Sequence, residues 1–234
     1  MDELWVCHLG LTPYAEAARL QERLRAARQA ELLPDVMLML EHPPVYTRGR
    51  RSAGGELPLG EAWYRERGID VVDTNRGGKL TYHGPGQLVG YPIMRTGDVI
   101  VYLRTMERAI IAALAEEGIR AGVREGLTGV WVEDRKIASI GVHISRGVTT
   151  HGFAVNVEND LEPFAWVVPC GIDGVRMTSV GCETARTRAL PCFRKRMAHQ
   201  FARAHALRQR LVSPARLESI VSPALAGHLA ADRD

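Results

Sequence analysis

At 234 residues, with 46% hydrophobic and 24% charged side chains, the chain has the length and composition of one large globular domain. Its net charge of +3, with no recognisable nucleic-acid motif, excludes a nucleic-acid reader and favours encounters with an acidic protein partner. No apolar stretch approaches the ~20 residues of a membrane span and the first five residues lack a signal-peptide pattern, so a chain with no membrane role is expected.

Leu4 to Leu9 reads as a strand. Thr12-Pro13 then supplies an N-cap and a first helical residue for a helix with Ala17, Leu20, Leu24 and Ala27 on one face, and Pro34 ends it. Val36 to Leu40 is an apolar run of buried-strand type, followed by an irregular His42-Pro43-Pro44. Arg48 to Gly55 reads as a solvated basic connector, with docking of an anionic partner as the functional alternative. Ile69 to Val72 is a strand leading into the most distinctive segment, Arg76 to Ile93, whose five glycines and two prolines forbid a helix. That segment reads as two strands lining a binding cleft, with the Gly84-Pro85-Gly86 turn aiming Tyr82 and His83 into one space.

Asp98 opens an amphipathic helix carrying Leu103, Met106, Ile110, Ile111 and Leu114, closed by Gly118. Gly129 to Val132, Lys136 to Ile144 and Thr149 to Val157 form three consecutive antiparallel strands. A last helix is expected from Pro191 to about Arg210. The whole predicts a single α+β domain over residues 1–234, its core at about 4–210 and a tail of uncertain structure at 211–234.

Four cysteines at positions 7, 170, 182 and 192, with no close pair at zinc-like spacing, build neither a disulfide nor a metal framework, so a reducing cytoplasm is expected. Cys7, Cys182 and Cys192 are assigned to packing or surface. Cys170 differs, because Pro169 before it and Gly171 after it hold the backbone extended and leave the sulfur approachable. The bland alternative is a small buried hydrophobe. Lysine is scarce: Lys79, Lys136 and Lys195 stand among 30 basic residues, which draws attention to positions that need a titratable amine. An ammonium from Lys136 at ~4 Å from the Cys170 sulfur, with an effective dielectric of ~20, contributes ~4 kcal/mol and brings a thiol down from ~8.5 toward neutrality. The thiolate is the nucleophile. Lys136 as an ordinary turn lysine beside Arg135 is the competing reading. His83, His143 and His151 are rival bases, and His83 either lines the cleft or moves protons.

Arg76 to Gln87, Arg135 to Val142, His151 to Val157 and Pro169 to Ile172 together resemble the lipoyl(octanoyl) transferases. That family moves an octanoyl group from acyl carrier protein to a lysine of lipoate-dependent enzymes, on the lipoate/biotin protein ligase catalytic-domain fold, a mixed or antiparallel sheet with flanking helices. The resemblance implies that Cys170 carries the acyl group and Lys136 is the general acid/base. It also implies an acyl pocket lined by Arg76, Gly77, Gly78, Lys79, Leu80, Thr81, Tyr82 and His83, by Ser139, Ile140 and Gly141, and by Gly152, Phe153 and Ala154. No cofactor, ATP or metal is implied, since the thioester arrives activated. The implied partners are octanoyl-acyl carrier protein as donor, and lipoyl domains of 2-oxoacid dehydrogenases and the glycine cleavage H protein as acceptors, met by a monomer. Arginines at 48–51 and 186–196 are expected to steer them. The chain departs from the family's pattern at Lys79, Thr128 and Gly147, beside the motifs. The competing functions are an ATP-dependent lipoate or biotin ligase, a Cys-His acyl thioesterase and a non-catalytic acyl-carrier binding module.

Overall fold

The computed structural model describes residues 2–167 and 175–231, with side chains through residue 222. Cys170 and its neighbours Pro169, Gly171 and Ile172 therefore lie outside the described residues. The chain begins with strand β1 (Glu3–Leu11), helix α1 (Tyr14–Gln29) and β2 (Asp35–Glu41). Next come β3 (Val45–Arg48), the short α2 (Glu61–Glu66), β4 (Asp70–Asp73), β5 (Thr81–His83) and β6 (Gln87–Ile93). Helix α3 (Val99–Ala115) leads to β7 (Gly122–Arg124), β8 (Leu127–Val132), β9 (Arg135–Ser145) and β10 (Val148–Asn156). The last elements are α4 (Glu162–Ala165), β11 (Arg176–Met177), α5 (Val180–Thr184), α6 (Leu190–Ala204), β12 (Arg208–Leu211) and α7 (Pro214–Ala231).

The main sheet is mixed, in the order β12-β1-β2-β6-β10-β9-β8-β7, with β11 added beside β9. Strand alternation sorts its side chains to two faces. Leu4, Val6, Met37, Met39, Phe153 and Val155 pack toward α3 and α6. Trp5, Cys7, Val36, Leu38, Val89, Tyr91 and Ile93 pack toward α1 and α7. Covering helices on both faces explain why β2 is a continuous apolar run. Truncating one of its fully buried residues, such as Met39→Ala, costs about 2–5 kcal/mol. Among the described residues no helix is long and apolar enough to cross a membrane.

A second, three-stranded sheet, β4-β3-β5, carries the first half of the glycine-rich segment. The two strands of that segment are therefore divided between sheets: β5 pairs with β3, while β6 lies between β2 and β10. The Gly84-Pro85-Gly86 turn makes the crossing, closed by Gln87 N–H donating to the Gly84 carbonyl at 3.1 Å. Glu41 Oε2 also accepts from the Gly86 amide at 2.8 Å.

Three sequence expectations change at helix ends. Thr12 does not cap α1: its hydroxyl donates to the Leu9 carbonyl at 3.3 Å, and the helix starts at Tyr14 with the Pro13 carbonyl accepting from Glu16 and Ala17. Helix α1 ends well before Pro34, through a Schellman turn in which Leu32 N–H bonds the Ala27 carbonyl at 3.0 Å and Glu31 sits at φ 60°. Helix α6 stops at Ala204, short of Arg210, by the same device: Leu207 N–H reaches the Ala202 carbonyl at 2.9 Å and Ala206 has φ 55°. The released chain forms β12, parallel to β1, and α7 lays Leu217 and Val221 into the core beside α1.

Candidate active site

Arg76 organises the loop that enters β5. Its buried guanidinium donates to Thr47 Oγ1 at 3.2 and 2.9 Å, to the Thr47 carbonyl at 2.5 Å and to the Gly77 carbonyl at 3.0 Å. Arg50 and Arg51 amides bond the carbonyls of Arg76 and Gly78 at 2.9 and 3.0 Å. A Cβ on Gly49 would lie 2.4 Å from the Gly78 carbonyl oxygen, so this approach needs glycine. The start of the basic segment is thus pinned to the glycine-rich loop through its backbone, while Arg50, Arg51 and Ala53 to Gly55 stay exposed, as a solvated connector would. Part of the arginine charge expected to steer partners is offset: Arg48 pairs with Asp73 and Glu61, and Arg186 and Arg196 with the buried Glu117.

The loop then docks on β9. Gly77 N–H donates to the Val142 carbonyl at 2.9 Å, and a Cβ on Gly141 would come within 2.7 Å of the Gly77 carbonyl oxygen. Between the loop and strands β9 and β10 lies a slot of about 60 Å³. Arg76, Gly78, Lys79, Leu80, Thr81 and His83 line it from one side, with Ser139, Ile140 and Gly141 of β9 and Gly152, Phe153 and Ala154 of β10 opposite. Lys136 lines the same slot. Tyr14, Tyr91 and His151 do so as well; Tyr91 lies in the segment read as lining a cleft, His151 is one of the rival bases, and the sequence offers no signal for Tyr14.

Gly77 and Tyr82 are placed elsewhere. Gly77 serves the docking bond just described. Tyr82 and His83 are neighbours on a strand, so they face opposite ways. The Tyr82 ring packs against Tyr46 and Phe164, at 5.4 and 5.5 Å between centroids, in the core of the small sheet. His83 turns instead into a polar chain. Its Nδ1 donates to Gln87 Oε1 at 2.7 Å, because Gln87 Nε2 is already donating to the Tyr82 carbonyl and to Asn156 Oδ1. Its Nε2 faces Thr47 Oγ1 at 3.4 Å. Asn156 Nδ2 then donates to the Thr178 carbonyl at 3.1 Å, tying the glycine-rich segment to the chain that follows Cys170. Burial, with His42 and Arg76 nearby, holds the His83 pKa well below the ordinary imidazole value, so the ring is neutral. His151 is likewise pushed down to about 3 by burial and Arg76, and His42 to about 4 by burial. His143 lies on β9, partly buried, and does not line the slot.

Lys136 is only 5% exposed, at the start of β9. A β-bulge sets its direction: Trp131 pairs with Lys136 while Val130 pairs with Ala138, which leaves Ile137 as the extra residue. The ammonium stands 5.6 Å from the Trp131 ring centroid, within cation–π range. On its other edge β9 takes β11, with Met177 in register with Lys136 and Thr178 N–H donating to the Lys136 carbonyl at 3.0 Å. Of the cysteines that are described, Cys7 is buried and its thiol is pushed up to about 11, while Cys182 and Cys192 are exposed and do not line the slot.

The fold that carries this slot has counterparts among known proteins. Residues 13–202 match the family described as the lipoyl protein ligase A/B catalytic domain. Among solved structures, a lipoate-protein ligase A bound with ATP superposes with a TM-score of 0.74 at 18% identity, over 95% of this chain and 94% of that one. The bi-partite lipoate protein ligase of Thermoplasma acidophilum, studied with its E2 lipoyl domain, gives 0.75 at 19%, over 95% and 92%. At these identities the likeness is one of fold. Curated relatives are nearer in sequence. The octanoyltransferase of Solibacter usitatus is 51% identical over 168 residues, 70% of this chain and 76% of its own. That of Geobacter sulfurreducens is 47% identical over 185 residues, covering 77% and 76%, and that of Acidobacterium capsulatum 42% over 213, covering 84% and 86%. The chain belongs to the lipoyl protein ligase A/B catalytic domain family, on its octanoyltransferase branch. It is an acyltransferase, and octanoyl is the group its branch transfers.

Proposed function

We propose that the chain transfers octanoyl by double displacement, with Cys170 as the acyl carrier and Lys136 as the proton carrier. The Cys170 thiolate attacks the thioester of octanoyl-acyl carrier protein; the new C–S bond forms as the carrier's C–S bond breaks. Lys136 gives its proton to the departing thiolate and becomes a neutral amine. An acceptor lysine, as its ammonium, then passes a proton to Lys136 and attacks the acyl-enzyme. The amide forms, Cys170 leaves as thiolate, and the second amine proton goes to solvent. The acceptor is a lipoyl-type domain, the class of protein studied beside the Thermoplasma ligase.

The observation that carries this reading is Lys136, a nearly buried lysine whose side chain lines the slot beneath the Arg76 to His83 loop. Further support comes from the chain on either side of Cys170. Val167 is buried in the core of the small sheet, and Met177 packs against that core and pairs in register with Lys136, so the described residues on both sides of Cys170 lie beside the slot-forming elements. The slot's Leu80, Ile140, Phe153 and Ala154 offer an alkyl chain an apolar wall, at about 0.8 kcal/mol per methylene buried.

Mass spectrometry of the protein mixed with octanoyl-carrier protein tests it. An octanoyl adduct on Cys170 that disappears when a lipoyl domain is added, with Cys170→Ala inactive, is the expected result. Loading that needs ATP and leaves no adduct would favour a ligase instead, and release of free octanoate regardless of acceptor would favour a thioesterase.

A further inference from the structure

Behind the slot, a much larger groove of about 990 Å³ runs along α1 between Ala17, Gln21, Thr150 and Asn75. Among the described residues, the side chains that line both spaces are Tyr14 and His151. Tyr14 is the first residue of α1, and its hydroxyl lies 3.5 Å from His151 Nδ1. The other ring nitrogen of His151 bonds Asn75 Oδ1 at 2.6 Å, and its backbone N–H donates to Gln21 Oε1 at 2.7 Å. The pair is therefore held in place where the two spaces meet.

Its place along the slot is informative. His151 pairs in register with Val142, six residues along β9 from Lys136, or roughly 20 Å of strand. A lysine side chain, a thioester and an extended eight-carbon chain laid end to end span about the same length at ordinary bond distances. We propose that Tyr14 and His151 form the end wall of the acyl slot and set the chain length accepted, the groove beyond being able to take the overhang of a longer chain once the wall is removed. This rests on the reading of the slot as the acyl site. Each methylene that the wall excludes forgoes burial worth about fourfold in binding, and a chain that overruns the wall must displace a packed ring.

The test compares dodecanoyl and octanoyl pantetheine thioesters as donors to wild type, Tyr14→Ala, His151→Gly and Tyr14→Phe, with Cys170 adducts followed by mass spectrometry. His151→Gly is included because residue 151 has φ 58°, a backbone conformation glycine adopts freely, so this variant opens the wall even if Tyr14→Ala fails to fold. The dodecanoyl to octanoyl ratio of kcat/KM should rise at least about tenfold, equivalent to about 1.4 kcal/mol, in both opened variants. In Tyr14→Phe the ratio should stay near the wild-type value, because the ring still blocks. An unchanged ratio in the folded opened variants, with octanoyl adduct still forming, overturns the wall. Absence of an octanoyl adduct on wild-type Cys170 instead overturns the acyl-site reading beneath it.

Discussion

Gly129 and Lys136 are in close contact across the β8–β9 pair: a Cβ on Gly129 would stand 2.8 Å from Lys136 Cε and 2.6 Å from the Ala138 carbonyl oxygen. Gly129 also has φ 130°, a conformation that side chains rarely adopt. Gly129→Ala therefore strains the backbone at the bulge and pushes the lysine stem out of line. A loss of about 1–3 kcal/mol of stability is expected. Transfer should fall at least about tenfold in protein that remains folded. Thermal melting and single-turnover transfer measured side by side check this, and wild-type turnover in the folded variant would mean that the contact does not position Lys136.

Lys136→Arg separates charge from proton transfer. Guanidinium keeps the cation but does not titrate in proteins. The variant should still acquire an octanoyl adduct while passing it on about 10²–10⁴ times more slowly, the usual contribution of a general acid or base. Lys136→Met, which keeps the bulk without the charge, should lose adduct formation as well. Equal rates for Lys136→Arg and wild type would remove the proton-carrying role.

Arg76→Lys tests what holds the slot's lid in place. A lysine offers a point charge where the guanidinium fork serves the Thr47 hydroxyl and carbonyl together. The substitution should cost about 1.5–3 kcal/mol, the range for hydrogen bonds to a charged group. Arg50 and Arg51 amides, which bond the carbonyls of Arg76 and Gly78, should then exchange with deuterium at least about tenfold faster. Unchanged exchange at these two positions would show that the backbone bonds hold the loop without the side chain.

The long amphipathic helix, the three-strand meander and the glycine-rich segment were legible because each carries a local signal. Asp98 caps α3 as its position suggested, its carboxylate accepting from Ile100 and Val101 amides, and Gly118 at φ 81° closes that helix. The ends of α1 and α6 were hidden because Glu31 and Ala206 occupy left-handed positions that usually announce themselves with glycine. Strand β12 was hidden for another reason. Its Arg-Gln-Arg-Leu sequence falls where the last helix was expected to end, and only the free edge of β1 makes it a strand, with the charges suiting an edge position. The slot's local lining was visible in three sequence blocks, whereas Tyr14 comes from a helix whose apolar patterning gives no sign that its ring reaches the slot.

The buried imidazoles give the fold a defined acid limit. His42 is fully buried, with Nδ1 donating to the Thr12 carbonyl at 2.6 Å and Nε2 accepting from the Tyr91 hydroxyl at 2.7 Å; protonation reverses the second bond and places an unscreened cation in the core. Its folded pKa is pushed down to about 4 and that of His151 to about 3, against ~6.5 in the unfolded chain. Between these limits the unfolded state binds more protons, so the stability these groups supply is complete above pH ~6.5 and is lost as the pH falls toward 4 and then 3. Each contributes a slope of up to about 1.4 kcal/mol per pH unit, and roughly 2–4 °C of Tm per kcal/mol applies to a chain of this size. Melting curves between pH 7.5 and 4.5 should therefore show Tm dropping by several degrees below pH 6. His42→Gln, which removes one titrating ring, should start from a lower Tm and show a shallower decline. A wild-type Tm that stays flat to pH 4.5, or a decline of equal slope in the variant, would place the acid sensitivity outside this cluster.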